Sequence, residues 1–382
     1  MIPLSLPNIK GNEWKYVKDC LDTGWISSAG EYVNKFEESI KKYTGAKYAI
    51  ACMNGTAGLQ VSLNLAGVSS NEIVIAPNLT FVATLNAISY TGAEVILMDV
   101  CQDTWQMDIN MLEKWLKDFT TTKIINGKPQ TIDKISKKKI GAIMPVYVLG
   151  GFIEIDKLLK ISSSFGIPII EDSTEALGSF KGERHAGTFG LTGVLSFNGN
   201  KIISTGGGGM ILTNEKNLAE KARHITTTAK TDPLDYFHDQ VGYNYRLVNV
   251  LAAIGVAQME NLESILKRKK EIDSLYRKEL GSVDDIKFQK NDPNSDPNCW
   301  LFTFRTKKMR ELLKHLNSNE IQCRPFWTPM NKLPMYKDLT YITEKDISNK
   351  IFKGCISIPS SSNLTIEDQY KVISKIKSFY KS

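Results

Sequence analysis

A chain of 382 residues, 42% hydrophobic and 23% charged, has an ordinary globular composition and is long enough for one large α/β domain with a smaller one attached. Its net charge of +7 is too small for this length to point to nucleic acid, yet it is compatible with an anionic small substrate. Six cysteines without a C-x-x-C pair, four histidines without metal-ligand spacing and no apolar run near the ~18 residues of a membrane span argue against metal, redox-dithiol and membrane functions.

The N-terminal stretch MIPLSLPNIKGNEW carries two prolines and no sustained apolar region, so no signal peptide is expected. Scattered free thiols suit a reducing compartment, and the expectation is a cytoplasmic protein. From about residue 30 to 215, helical stretches such as EYVNKFEESIKKYTG alternate with short apolar runs: KYAIAC, EIVIAP, EVILMDV, IGAIMPVYV, IPIIED, GVLSF and GMILTN. The alternation predicts βαβ units and a mostly parallel seven-stranded sheet with helices on both faces. In DKLLKISSSFG a helix should stop at Gly166, with Pro168 just beyond. Of two basic runs, Lys137–Lys139 reads as a loop before a strand, and Lys267–Lys270 as the wet side of a helix.

Past residue 245 the texture changes. NVLAAIGVAQMENLESILKRKKEIDSLYRKEL reads as one long amphipathic helix. A polar loop NDPNSDPN, a strand WLFTFR and the helices KMRELLKHLNSN and TIEDQYKVISKIKSFY follow. The expected division is a large domain over 1–247 and a smaller α+β domain over 248–382.

Four segments carry chemistry. In CMNGTAGLQVSLNLAG a strand ends, Asn-Gly turns, and Thr56 starts a helix whose free N–H groups favour a phosphate; the same residues also read as a plain turn with a threonine cap. In IPIIEDSTEALGS, Asp172 ends an apolar strand at the carboxyl edge of the sheet, where ligands of parallel sheets bind. It could hold a cationic ring nitrogen or merely cap the next helix. In SFNGNKIISTGGGGM, Lys201 follows another strand and precedes four glycines, with neither a P-loop nor a G-x-G-x-x-G pattern. A surface lysine beside a turn is the plainer alternative. VGYNYRLVNVLAA sets Asn244, Tyr245 and Arg246 just before the long helix. A phosphate site, an acid for a ring nitrogen and a lysine after a later strand are together the parts that bind pyridoxal 5'-phosphate.

These motifs resemble, in order and nearly end to end, the DegT/DnrJ/EryC1/StrS family of pyridoxal-phosphate sugar aminotransferases: TGWISSAGEYVNKFE, NGTAGL, LTFVATLNAI, EDSTEALGS, SFNGNKIISTGGGGM and GYNYRLVN. The resemblance implies an aspartate aminotransferase-like α/β fold (fold type I). Lys201 matches the lysine that bonds the cofactor aldehyde, Asp172 the partner of the ring nitrogen, and Phe81 the ring stacked on the cofactor. Glu175 falls where relatives carry His or Gln near the phenolic oxygen. Thr56, Ala57 and Ser196 match phosphate positions. Asn244 matches a residue that reaches the phosphate from the other subunit, which implies a homodimer with shared sites. Trp25, Ser27 and Ser28 match a segment near the sugar, and Arg246 or Arg324 could pair with the phosphates of the sugar nucleotide. Tyr147, in PVYVLGG, departs from the common PVH and has no assigned role.

The implied reaction moves an amino group from L-glutamate to a nucleotide-linked keto-sugar, releasing 2-oxoglutarate. NEWKYVKDCLDTGWISSAG, TTTAKTDP and RPFWTPMNKLPMY look most like the branch acting on UDP-linked 4-keto-6-deoxy-N-acetylglucosamine. The alternatives are a perosamine-type enzyme on a GDP- or dTDP-linked 4-keto-6-deoxyhexose, amination at C3, or a non-catalytic cofactor-binding regulator. An NAD-dependent oxidoreductase fails for want of a glycine fingerprint.

Overall fold

The computed structural model describes residues 1–125, 127–232 and 234–381; Pro233, in the TTTAKTDP stretch, lies outside them. The seven apolar runs form seven strands: β1 (Tyr48–Cys52), β2 (Glu72–Pro77), β3 (Glu94–Met98), β4 (Lys139–Ile143), β5 (Ile170–Asp172), β6 (Thr192–Ser196) and β7 (Gly209–Thr213). Two ladders, β1-β7-β6-β5 and β3-β2-β4, meet where parallel bridges Ile143–Ile169 and Val146–Asp172 join β4 to β5. Only β7 runs antiparallel to its neighbours within this set. Interior strands such as β2, buried at every position, are covered on both faces, which is why they read as unbroken apolar runs.

Helices α1 (Glu13–Thr23), α2 (Glu31–Thr44), α3 (Gly55–Leu65), α4 (Ala83–Ser89), α5 (Ile109–Phe119), α6 (Ile155–Phe165) and α7 (Lys216–Thr226) belong to this part of the chain. Gly166 ends α6 in the left-handed region at φ 63°, the stop the sequence signals. A hairpin of Thr120–Ile125 and Lys128–Asp133, which the sequence reading did not foresee, pairs onto β4 through Ile132 and Lys139.

The long amphipathic helix is two helices, α8 (Asn249–Glu260) and α9 (Leu262–Leu280), separated at Asn261. The halves have different surroundings. Ala252 and Ala253 of α8 are fully buried in one cluster with Val33 and Phe36 of α2, and a Cβ on Gly255 would meet the Phe36 ring at 2.8 Å. The charged α9 instead offers one face to a second core, where Tyr276 packs with Phe304, Leu312, Ile356 and Val372. That core lies against a small antiparallel sheet built from β8 (Phe302–Arg305), β10 (Cys355–Ile358), Lys287–Phe288 and Arg324–Pro325, with α10 (Met309–Ser318) packed on it and α11 (Ile366–Lys381) packed on α9 and α10.

The chain after residue 247 is not confined to this second body. Strand β9 (Thr340–Ile342) pairs in parallel with β3 and extends the large sheet, and α8 packs on α1 and α2. Lys269 also departs from expectation. It is buried rather than solvated, and its ammonium donates to the Ser360 carbonyl at 2.5 Å. Among the described residues no helix is long and apolar enough to cross a membrane.

Candidate active site

The site forms at the carboxyl ends of β5 and β6, where the second body closes over the large sheet. Thr56, Phe81, Asp172, Glu175, Ser196, Lys201 and Arg324 all line one cavity of about 590 Å³. That volume suits a cofactor-sized ligand with room for substrate.

Asp172 is the last residue of β5 and is 2% exposed. Its Oδ2 accepts from Thr84 Oγ1 at 2.7 Å, and its Oδ1 accepts from Thr174 Oγ1 at 2.7 Å and Thr174 N–H at 3.2 Å. Three donors fix the carboxylate at the cavity wall, ready to bind a cationic donor. Thr174, two residues after the aspartate, follows a common local turn pattern and could have been read from EDST. Thr84 could not, because only the packing of α4 against the strand ends brings it there.

Lys201 sits in the turn after β6, its N–H donating to the Asn198 carbonyl at 3.0 Å. Its side chain is 13% exposed, and Nζ lies 4.0 Å from Glu175 Oε1. Burial lowers the basicity of this amine, while Glu175 and then Asp172 pull it back up. Burial likewise pushes the Glu175 carboxyl up to about 7 against the opposing pull of Lys201 and a hydrogen bond from Leu149 N–H at 2.8 Å. An amine of lowered basicity beside a carboxyl of raised pKa is suited to moving protons.

The helix start differs from expectation. Asn54, not Thr56, is the cap of α3, and its Oδ1 accepts the Ala57 N–H at 2.8 Å. Ala57 does not line the cavity, and its N–H is already engaged by Asn54, so it has no free donor to offer there. Gly55 and Thr56, in the first turn, line the cavity together with Ser196 and offer N–H groups, hydroxyls and the positive end of the helix. Gly55 is required by closeness: a Cβ there would lie 3.0 Å from both Ser196 Cβ and Thr174 Cγ2.

Trp25, Ser27, Ser28, Asn244 and Arg246 do not line the cavity. The 25–27 segment is held by Asn249, whose Nδ2 donates to the Trp25 carbonyl at 2.6 Å and whose N–H donates to the Ser27 carbonyl at 2.7 Å, and the Trp25 side chain remains 59% exposed. Asn244 is exposed beside Thr227. Arg246 bridges to Cys52, and its buried Nε has no hydrogen-bond partner among the described residues.

Tyr147 gains a role. Its fully buried hydroxyl bonds the Glu171 carboxylate, which also accepts N–H bonds from Gly187, Phe189 and Gly190. Tyr147 therefore braces the residue next to Asp172 from outside the cavity. The sequence reading also missed an aromatic wall from the last third of the chain, packed in the same core as Val33 and Phe36. Trp300, Phe326 and Trp327 line the cavity opposite Phe81, with Phe326 and Trp327 centroids 4.5 Å apart and Trp327 6.2 Å from Phe81.

The donor set fits pyridoxal 5'-phosphate. A satisfied buried carboxylate suits a protonated ring nitrogen, a helix N-terminus with two hydroxyls suits the phosphate, and a buried amine suits the aldehyde.

Comparison with known proteins gives the same chemistry. The sequence model of the DegT/DnrJ/EryC1/StrS aminotransferase family matches residues 7–377. The chain is 35% identical to GDP-perosamine synthase of Escherichia coli O157:H7, over 99% of this chain and 98% of that protein. It is 34% identical to the putative pyridoxal phosphate-dependent aminotransferase EpsN of Bacillus subtilis, over 97% and 94% respectively. A DegT DnrJ EryC1 StrS aminotransferase from Brucella abortus has the same fold, with a TM-score of 0.88 at 24% identity over 97% of this chain and 96% of that one.

Proposed function

We propose a particular acceptor for this chain, which belongs to the DegT/DnrJ/EryC1/StrS family of pyridoxal-phosphate-dependent sugar aminotransferases: a perosamine-type GDP-linked 4-keto-6-deoxyhexose, aminated at C4 with L-glutamate as donor. The observation that carries the choice is the end-to-end likeness to a GDP-perosamine synthase. The UDP-linked N-acetyl sugar favoured by the sequence stretches has no comparable support, and the perosamine-type acceptor displaces it as the main reading.

Bound pyridoxal phosphate supplies an electron sink that lets a proton leave the carbon bearing the amine. The chain's own residues do the rest. Asp172, fixed by Thr84 and Thr174, holds the ring nitrogen in its cationic form. Thr56, Ser196 and the start of α3 hold the phosphate. Phe81, Trp300 and Trp327 line the cavity with rings against which a cofactor and sugar can pack. Lys201 is the residue that would hold the aldehyde covalently at rest. Once displaced by an amino donor, its amine takes and returns the proton at the substrate carbon, a general acid–base role that contributes about 10²–10⁴-fold. Burial lowers its basicity, which favours that task. Arg324, exposed and lining the cavity, would meet the phosphates of the sugar nucleotide. A second copy of the chain would supply Asn244 and the Trp25–Ser28 segment, which stand outside the cavity of their own chain.

The test is a panel of GDP-, dTDP- and UDP-linked 4-keto-6-deoxy sugars incubated with enzyme and L-glutamate, with NMR of the products. The GDP-linked hexose should be aminated at C4 with the highest kcat/KM. Preferential turnover of the UDP-linked N-acetyl sugar, or amination at C3, would overturn the assignment.

A further inference from the structure

The aromatic ring nearest the Lys201 ammonium comes from 99 residues further along the chain. Nζ lies 4.1 Å from the centroid of the Trp300 ring. The same indole donates its Nε1–H to the carbonyl of Asn200, the residue before the lysine, at 2.6 Å. One side chain therefore grips both the backbone of the lysine turn and the lysine's charged end.

Trp300 is itself held with unusual firmness. It is 3% exposed. Its N–H donates to Asn298 Oδ1 at 3.0 Å, and Asn298 Nδ2 donates to the carbonyls of Glu175 at 2.7 Å and Leu177 at 2.9 Å. Between them Cys299 adopts a left-handed conformation at φ 54°, a strained state for a residue with a side chain. A non-glycine residue stays in that conformation only where its surroundings over-determine it. Here the surroundings are the Glu175–Ser179 segment on one side and the lysine turn on the other.

We propose that Trp300 is the positioning residue for Lys201: its indole face receives the ammonium whenever that amine is not bonded to cofactor, and its N–H fixes the turn from which the amine reaches. The proposal rests on Lys201 being the cofactor-bonding lysine. The physical need is plain. Burial destabilises the ammonium, and the face of an aromatic ring is one of the few apolar surfaces that attracts a cation. The charged groups facing the amine are Glu175 and Asp172, with Arg324 on the same cavity; the ring adds attraction without adding a competing base. Displaced from the cofactor, Lys201 thus has a defined resting place within reach of the proton it must return.

The experiment uses the holoenzyme converted by L-glutamate to its amine form, in which Lys201 is free. Trace acetic anhydride labels amines as a function of pH, and peptide mass spectrometry reports the midpoint and plateau at Lys201. Borohydride fixation on the wild type first establishes that Lys201 is the bonded lysine, so a failure of that premise is recognised separately. In Trp300→Leu the midpoint should move to lower pH, with about ten-fold more reactive amine at a fixed pH below it, relative to plateau. Trp300→Phe, which keeps a ring face, should hold the midpoint near the wild-type value. A merely structural Trp300 would raise the plateau by opening the cavity and leave the midpoint unmoved, and that result overturns the proposal. Should the leucine variant not fold, fluorinated tryptophan decides: fluorine weakens the ring's negative face without changing its shape. The midpoint should fall with each added fluorine, and a constant midpoint refutes the role.

Discussion

Thr84 Oγ1 donates a 2.7 Å hydrogen bond to Asp172 Oδ2, tying the short helix α4 to the end of the central strand β5. With Thr174 on the other oxygen, the carboxylate is fixed before any cofactor arrives. Preorganisation of this kind spares the ligand the cost of orienting its partner.

Removing one donor from a buried carboxylate should be felt in both stability and retention. Thr84→Val is expected to cost about 2 kcal/mol in denaturant unfolding and to weaken cofactor retention on dilution. Thr84→Ser, which restores the hydroxyl, should recover most of both. Equal behaviour of the two variants would show that the bond does not matter.

Asn54 allows the cap of α3 to be separated from the phosphate site. Asn54→Ala should lose about 1 kcal/mol of stability with the Ala57 N–H left uncapped. Asn54→Asp keeps a capping oxygen but sets a carboxylate on the cavity wall beside the proposed phosphate site. Its unfolding should match the wild type, while its cofactor dissociates faster in equilibrium dialysis.

Much of the site was legible because strand ends are legible. Asp172 and Lys201 both follow apolar runs, and a parallel sheet gathers its strand ends at one edge. The seven strands were equally visible, since buried β-branched runs leave few alternatives. What escaped were contacts across long sequence separations. Trp300 and Trp327 come 99 and 126 residues after Lys201, and nothing in WLFTFR distinguishes a cavity wall from core. Strand β9 was too short and too polar to show a period, and only its neighbour β3 makes it a strand. The break at Asn261 was hidden because α8 is apolar on all sides, so its end resembles a continuation of α9.

The raised Glu175 carboxyl predicts a pH dependence with a definite sign. The folded chain holds this proton up to about pH 7, whereas an unfolded glutamate releases it near pH 4.5. Between those values the folded state binds more protons, so stability falls as pH rises. Glu175→Gln removes this titration. Thermal unfolding across that window should show the variant gaining on the wild type toward pH 7, and parallel curves would contradict the assignment.

The exposed position of Asn244 predicts complementation. Lys201→Ala and Asn244→Ala proteins should each be inactive. Random mixing into dimers should restore about a quarter of the sites, because one site of each mixed dimer has both residues intact. Mixtures as inactive as their components would show that Asn244 serves its own chain or none.

The central claim is tested most directly by borohydride reduction of the purified, cofactor-loaded enzyme, followed by peptide mapping. The account predicts loss of the visible cofactor absorbance band and the cofactor mass on the peptide carrying Lys201, with no such mass in Lys201→Ala. The cofactor fixed instead on another amine, such as the buried Lys269, would contradict it.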